Sequence, residues 1–198
     1  MEKLWEDENI VVVNKPAGVV VDGKLGLIAH RLDKETTGCL LIAKTSEAQQ
    51  FLQSQFKKRE IHKEYLAIVH GCIEPKKGTI RLPIGRSKRD RKRQEIRFDG
   101  KLAETSWERL SYDRDTDCSV VRLFPKTGRM HQIRVHLSHI HFPIFADDKY
   151  LGGAQKAEDR KLINHHFLHA ETIGFKDMSG KMRVIKAPLP PENVRMIK

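Results

Sequence analysis

The sequence predicts an α+β fold built on a mixed, mostly antiparallel β-sheet with flanking helices. Three observations carry that expectation. Short apolar runs of strand length outnumber the stretches with helical periodicity. Most of the connections between them are short and rich in turn residues, as in hairpins. No internal repeat and no linker interrupts the 198 residues, which favours a single domain over 1–198.

Taken in order, residues 10–13 read as a short buried strand and Asn14-Lys15-Pro16-Ala17-Gly18 as a turn, followed by a second strand at 19–21. Residues 39–43 form the next apolar run. Ser46, with Gln49 three residues on, gives a capping-box start to a helix over 47–58, where Ala48, Phe51, Leu52 and Phe56 recur at helical spacing. Strands follow at 61–69 and at 79–82, the latter closed by Pro83. A hairpin is expected from 103–112 and 118–124. Residues 131–139 read as a short helix with Ile133, Leu137 and Ile140 on one face, and 142–145 as a brief strand. The polar stretch 154–165 is expected to be mobile, and a last hairpin pairs 167–175 with 182–187.

Charge is the informative bulk property. Thirty-seven Lys and Arg against 26 Asp and Glu give a net charge of +11, which favours a polyanionic partner, nucleic acid ahead of an anionic membrane. No basic amphipathic helix appears, and no apolar run approaches the roughly 20 residues that span a bilayer. The acidic N-terminus lacks the apolar core of a secretory signal. Three widely spaced cysteines form no CxxC, so neither a disulfide framework nor a zinc ribbon is expected, and the cytoplasm is the natural setting. The most basic stretch lies between Arg86 and Lys101, with eight cations (Arg86, Lys88, Arg89, Arg91, Lys92, Arg93, Arg97, Lys101) against three acids.

Four features are candidates for chemistry. His30-Arg31-Leu32-Asp33-Lys34-Glu35-Thr36-Thr37-Gly38 places a carboxylate among cations, hydroxyls and a glycine, directly before a strand; catalytic groups usually sit on such loops. By itself this Asp could as well cap a turn. Lys63-Glu64-Tyr65-Leu66-Ala67 puts a tyrosine on one face of a strand, where an ordinary strand aromatic is the simpler reading. Within Gly128-Arg129-Met130-His131-Gln132-Ile133-Arg134-Val135-His136-Leu137, Arg134 borders the apolar helix face, and pointing inward it would need a carboxylate or several carbonyls. Histidines cluster at 131, 136, 139 and 141 and at 165, 166 and 169. They include no HExxH, and satisfied or RNA-facing histidines fit better than a metal site.

In order and in kind, these segments resemble the RluA-like family of pseudouridine synthases. The nine residues His30–Gly38 are similar to that family's HRLDxxTSG motif, Asn14–Gly18 to its first motif, and Lys63–Ala67 to its KxYxA strand. Gly128–Leu137 resembles GRxHQIRxHL, while Leu168-His169-Ala170 and Ala187-Pro188-Leu189-Pro190 resemble its closing LHA and APLP signatures. The chain departs from the pattern in three places. Only 11 residues separate Gly18 from His30, Thr37 stands for the commoner Ser, and Ala146-Asp147-Asp148-Lys149-Tyr150-Leu151 lacks the two glycines of GDxxYG. No S4-type RNA-binding domain is expected ahead of these strands, so RNA binding is expected from the domain's own surface.

The resemblance implies a pseudouridine synthase fold around an RNA-binding cleft, and an enzyme that isomerises uridine in rRNA or tRNA stem-loops. The reaction breaks the N1–C1′ bond, turns the uracil and rejoins it through C5, so no cofactor and no metal is demanded. Asp33 would be the nucleophile or base, Arg134 its ion-pair partner, and Tyr65 the stacking wall against the flipped uracil, with Leu137 or a neighbour on the far side. RNA contacts are expected from Arg31, from Arg86, Lys88, Arg89, Arg91 and Arg93, and from Arg129, His131 and Gln132. A monomer is the expected state. Two rivals differ in class. A binding-only RNA module would not need Asp33, Tyr65 and Arg134 together, and a hydrolase would need a second facing carboxylate as a glycosidase or clustered acids for metals as a nuclease.

Overall fold

The computed structural model of the chain describes residues 1–197. Its elements begin with β1 (Glu2–Glu6), β2 (Ile10–Lys15), a 3-10 turn (Gly23–Leu25), β3 (Leu27–Ile28), β4 (Thr37–Ala43) and α1 (Ser46–Lys58). Next come β5 (His62–His70), β6 (Lys77–Arg86), β7 (Gln94–Ile96), β8 (Lys101–Asp113) and β9 (Cys118–Pro125). The chain continues through α2 (Gln132–His139), α3 (Gly153–Asp159), β10 (Leu168–Lys176), β11 (Met182–Lys186) and α4 (Pro191–Val194). Strands outnumber helices and nearly all pairings are antiparallel, as the sequence predicts. The chain falls into two compact units, Met1–Glu64 with His169–Met196, and Tyr65–Leu168.

In the first unit the strand order is β1-β2-β4-β10, with β11 on β10 and β3 also pairing β4. β2 runs antiparallel to β4, while β10 meets β4 in parallel through His169 opposite Thr37 and Ala170 opposite Gly38. Period-two alternation sends Ile10, Val12, Cys39, Leu41 and Ala43 into one core, joined by Ala48 and Leu52 of α1 and by Ile173 and Phe175 of β10. Complete burial of a residue such as Leu52 stabilises the fold by about 2 kcal/mol. α1 starts one residue earlier than expected, because Thr45, not Ser46, is its N-cap and accepts from the Ala48 N–H at 3.1 Å. Gln49 does not close a capping box; its amide donates to the Ile28 carbonyl at 2.9 Å.

The second unit carries the antiparallel order β5-β9-β8-β6-β7. Ala67, Val69, Val121, Leu123 and Trp107 form its inner face, and Ile133 and Leu137 of α2 pack on them with Ile144.

Several expectations were too coarse. Residues 19–21 form no strand, and the polar-looking N-terminus instead contributes β1. β6 runs through Pro83 to Arg86, since Pro83 still lends its carbonyl to the Arg97 N–H at 3.0 Å. The basic stretch contains β7, which pairs with the end of β6. Residues 142–145 supply only an isolated bridge, Val69 with Ile144. The stretch expected to be mobile forms α3, anchored by buried Asp159, which accepts from the Ala146 N–H at 2.7 Å and meets His70 Nε2 at 2.8 Å.

Candidate active site

Asp33 lies in a loop of the first unit that is braced from four directions. The Thr36 N–H donates to the Asp33 carbonyl at 3.1 Å and closes the turn that carries the carboxylate. Lys15, at the end of β2, is fully buried, and its ammonium donates to the carbonyls of Pro16, Val19 and Lys34 at 2.9, 3.0 and 2.8 Å. Three N–H groups meet three carbonyls, so the charge is solvated by backbone dipoles. Burial pulls the Lys15 pKa down to about 8, against the opposing pull of Glu35 and Asp33. The Gly18 N–H also donates to the Lys34 carbonyl at 3.0 Å, so the Asn14–Gly18 motif and the Asp33 loop are sewn to each other.

The second brace is His30. Its Nε2 accepts from the Leu41 N–H at 2.9 Å, and its ring stacks on Phe56 with centroids 4.8 Å apart. Burial, helped by Lys63, drives its pKa down to about 3, so the ring is neutral and Nε2 keeps its lone pair. The third brace joins Thr37 to His169. His169 Nε2 lies 3.2 Å from the Ala187 carbonyl, which can only accept, so Nε2 carries the proton and Nδ1 accepts from the Thr37 hydroxyl at 2.8 Å. A hydroxyl at position 37 meets this need whether Ser or Thr supplies it. The fourth is Gly38, at φ +106°, where a Cβ would stand 2.2 Å from the Ala170 carbonyl oxygen. Arg31, two residues before Asp33, is exposed.

In the second unit, Arg134 is buried on α2. Its Nε and Nη2 make a two-pronged pair with Asp147 at 2.8 Å each, and Nη2 also meets Asp148 at 2.6 Å. Burial opposes the charge on Asp147, but Arg134 overrides it and holds that carboxyl down at about 2. The Asp147 Oδ1 also accepts from the Lys149 and Tyr150 N–H groups at 2.8 and 3.0 Å. The expectation that an inward-pointing Arg134 needs a carboxylate is therefore met by Asp147 and Asp148, a pair that the sequence alone does not single out as its partners. Tyr65, at the start of the second unit, is half-buried and packs against the core that holds Leu137, which is itself fully buried.

Tyr150 was also missed. Its ring lies between two guanidiniums, Arg93 at 5.1 Å and Arg134 at 5.2 Å, and its hydroxyl bonds to His131 Nδ1 at 2.8 Å and to the Gln94 N–H at 2.9 Å. Asp147, Asp148 and Tyr150 stand where the family pattern has GDxxYG, which is the signal that could have found them. Of the expected RNA contacts, Arg86, Lys88, Arg89, Arg91 and Arg129 are exposed, while Arg93 and His131 are half-buried. Gln132 is buried, and its amide is engaged with Glu104, Thr105, Thr127 and the Arg129 N–H.

The first unit thus carries a braced aspartate in the loop before β4, and the second a buried arginine held by two carboxylates. The chain belongs to the RNA pseudouridylate synthase family, whose description it matches over residues 23–139, and it is an RNA-modifying isomerase. It is 37% identical to the RNA pseudouridine synthase YlyB of Bacillus subtilis, over 98% of this chain and 70% of that protein. It is 34% identical to the ribosomal large subunit pseudouridine synthase D of Xanthomonas campestris, over 98% of this chain and 67% of that one. Among solved structures, human RNA pseudouridylate synthase domain containing 1 superposes with a TM-score of 0.82 at 28% identity, covering 96% of this chain and 83% of that one. Among the described residues no helix is long and apolar enough to cross a membrane.

Proposed function

We propose that this protein converts specific uridines of ribosomal RNA to pseudouridine, with Asp33 as the reacting carboxylate. The bracing of the Asp33 loop carries this reading. Lys15, His30, Thr37 and Gly38 are each committed to its backbone or to strands beside it, an investment that a surface turn would not need. The names of relatives that act on the large ribosomal subunit favour ribosomal over transfer RNA as the substrate.

In the proposed mechanism the target uridine leaves its stack, at a cost of a few kcal/mol that phosphate contacts offset. Asp33 then acts on the sugar, as nucleophile at C1′ or base at C2′, and the N1–C1′ bond breaks. Tyr65 stacks on the released uracil, and its phenol helps to move the C5 proton once C5 has joined C1′. Arg134 is the proposed ion-pair partner of Asp33; its bonds to Asp147 and Asp148 fix its orientation before substrate arrives. Leu137, expected on the far side of the base, is fully buried and instead backs Tyr65 from the core, which leaves that wall to a neighbour. Arg31, Arg129 and the exposed cations between Arg86 and Arg93 take phosphates, while Gln132 and His131 hold the segment that presents Arg129. We place the protein in the cytoplasm as a monomer.

The test is Asp33→Asn. Pseudouridine formation should vanish while RNA affinity stays within a few-fold of wild type, read by pseudouridine mapping and by filter binding on ribosomal RNA from cells lacking the protein. Full activity in the variant would remove Asp33 from the chemistry. A wild-type protein that binds this RNA but modifies no uridine would indicate a binding-only module.

A further inference from the structure

We propose that Phe98 is a stacking platform for an unpaired base of the RNA, displayed on a rigid turn at the edge of the basic segment. This rests on the RNA-modifying reading above and adds to it a binding element outside the reacting residues. Phe98 is 96% exposed, and no other Phe, Tyr or Trp among the described residues is classed as exposed. A Phe ring left in water forfeits the burial that usually fixes an aromatic, and both its faces stay open to stacking.

The turn that carries it is tightly held. The Gly100 N–H donates to the Arg97 carbonyl at 2.9 Å, which closes a β-turn with Phe98 and Asp99 at its centre. The Arg97 N–H donates to the Pro83 carbonyl at 3.0 Å, and its guanidinium reaches the Arg86 carbonyl at 3.1 Å while gripping the Asp99 carboxylate. Gly100 sits so close to β6 that a Cβ there would stand 2.5 Å from the Ile84 backbone. Phe98 is therefore exposed by construction, with its backbone fixed at several points. A residue whose backbone is already fixed has less entropy left to lose on binding.

Its neighbours select the partner. Leu102, 72% exposed, begins the next strand, and its carbonyl accepts from Arg129 Nε at 3.2 Å. Arg86, Lys101 and Arg129 are exposed, and each adjoins this turn: the Arg86 carbonyl accepts from Arg97, Lys101 precedes Leu102, and Arg129 donates to Leu102. An aromatic face beside cations is the pattern that binds single-stranded nucleic acid, because bases stack on the ring while the cations take the flanking phosphates. A protein partner would more often meet an apolar centre with charge excluded from it.

The experiment uses the full chain and a short mixed-sequence RNA with one central 2-aminopurine, either single-stranded or annealed to its complement. Wild type should bind the single strand and quench the 2-aminopurine. Phe98→Ala should weaken single-strand binding about 5- to 150-fold and lose the quenching, with duplex affinity changed less than about twofold. Phe98→Trp should restore both, and its new indole emission should fall on binding. Unchanged single-strand affinity in Phe98→Ala, with pseudouridine formation intact, would overturn the platform alone and leave the ring to a protein partner. Equal weakening on both probes would also overturn it, since stacking on a free base would not explain the loss. Failure of the wild type to bind either RNA would overturn the platform together with the RNA-modifying reading.

Discussion

Lys15 and His30 are ionisable side chains that serve the Asp33 loop through the backbone. Lys15 directs its charge to three carbonyl oxygens, and His30 stays neutral to accept one N–H. The two respond to pH differently. The folded pKa of His30 lies near 3, well below its ordinary value of 6.5. Its stabilising contribution is complete above pH 6.5 and is lost as pH falls from there toward 3, because the unfolded chain then binds a proton that the folded chain refuses. Urea denaturation at pH 7 and pH 5 should therefore show a loss of stability in the wild type, and His30→Gln should show less of it. Identical pH dependence in the two proteins would mean that His30 is not a buried acceptor for the Leu41 N–H.

Strands β4 and β10 meet in parallel, and their close approach is decided by one missing side chain. At Gly38 the Ala170 backbone occupies the place of a Cβ, whereas Gly18, also at positive φ, has nothing within 4 Å of that position. The two glycines separate backbone strain from steric exclusion. Gly18→Ala should cost about 1–2 kcal/mol for the left-handed backbone alone. Gly38→Ala should cost about 2–4 kcal/mol, since the strands must also move apart. It should also lower activity, because Thr37 and His169 lie in the same register. Denaturant midpoints compare them directly, and equal losses would show that β10 yields to the added methyl group.

For the whole molecule the decisive quantity is charge. A net +11 draws the chain to polyanions, but only exposed cations release counterions on binding. Arg89 and Arg91 are exposed, whereas Arg93 is half-buried over Tyr150. Replacing Arg89 and Arg91 by Gln should lower the slope of log affinity against log salt by about 0.7 for each single-strand phosphate that is no longer neutralised. Arg93→Gln should in addition loosen Tyr150, so its effect should include a loss of activity at saturating RNA. A salt slope unchanged in the double variant would put the phosphate path on another face.

Much of this protein could be read from its sequence. The strand-rich fold and the cores of β4 and α1 follow from local periodicity and spacing, which depend on near neighbours in the chain, while the motifs around Asp33, Tyr65 and Arg134 stood out through the family resemblance. Partners could not be read in the same way. That Lys15 is buried beneath the Asp33 loop, that His169 and Ala187 answer Thr37, and that Asp147 and Asp148 hold Arg134 are pairings over long sequence separations or across a turn. Short edge strands such as β1 and β7 escaped notice because pairing, not hydrophobic pattern, makes them. The sequence by itself determined which residues are proposed to carry chemistry, because side-chain type and motif order are written there. Tertiary structure alone decided which groups fix them, because burial and hydrogen-bond geometry arise only when distant strands come into register.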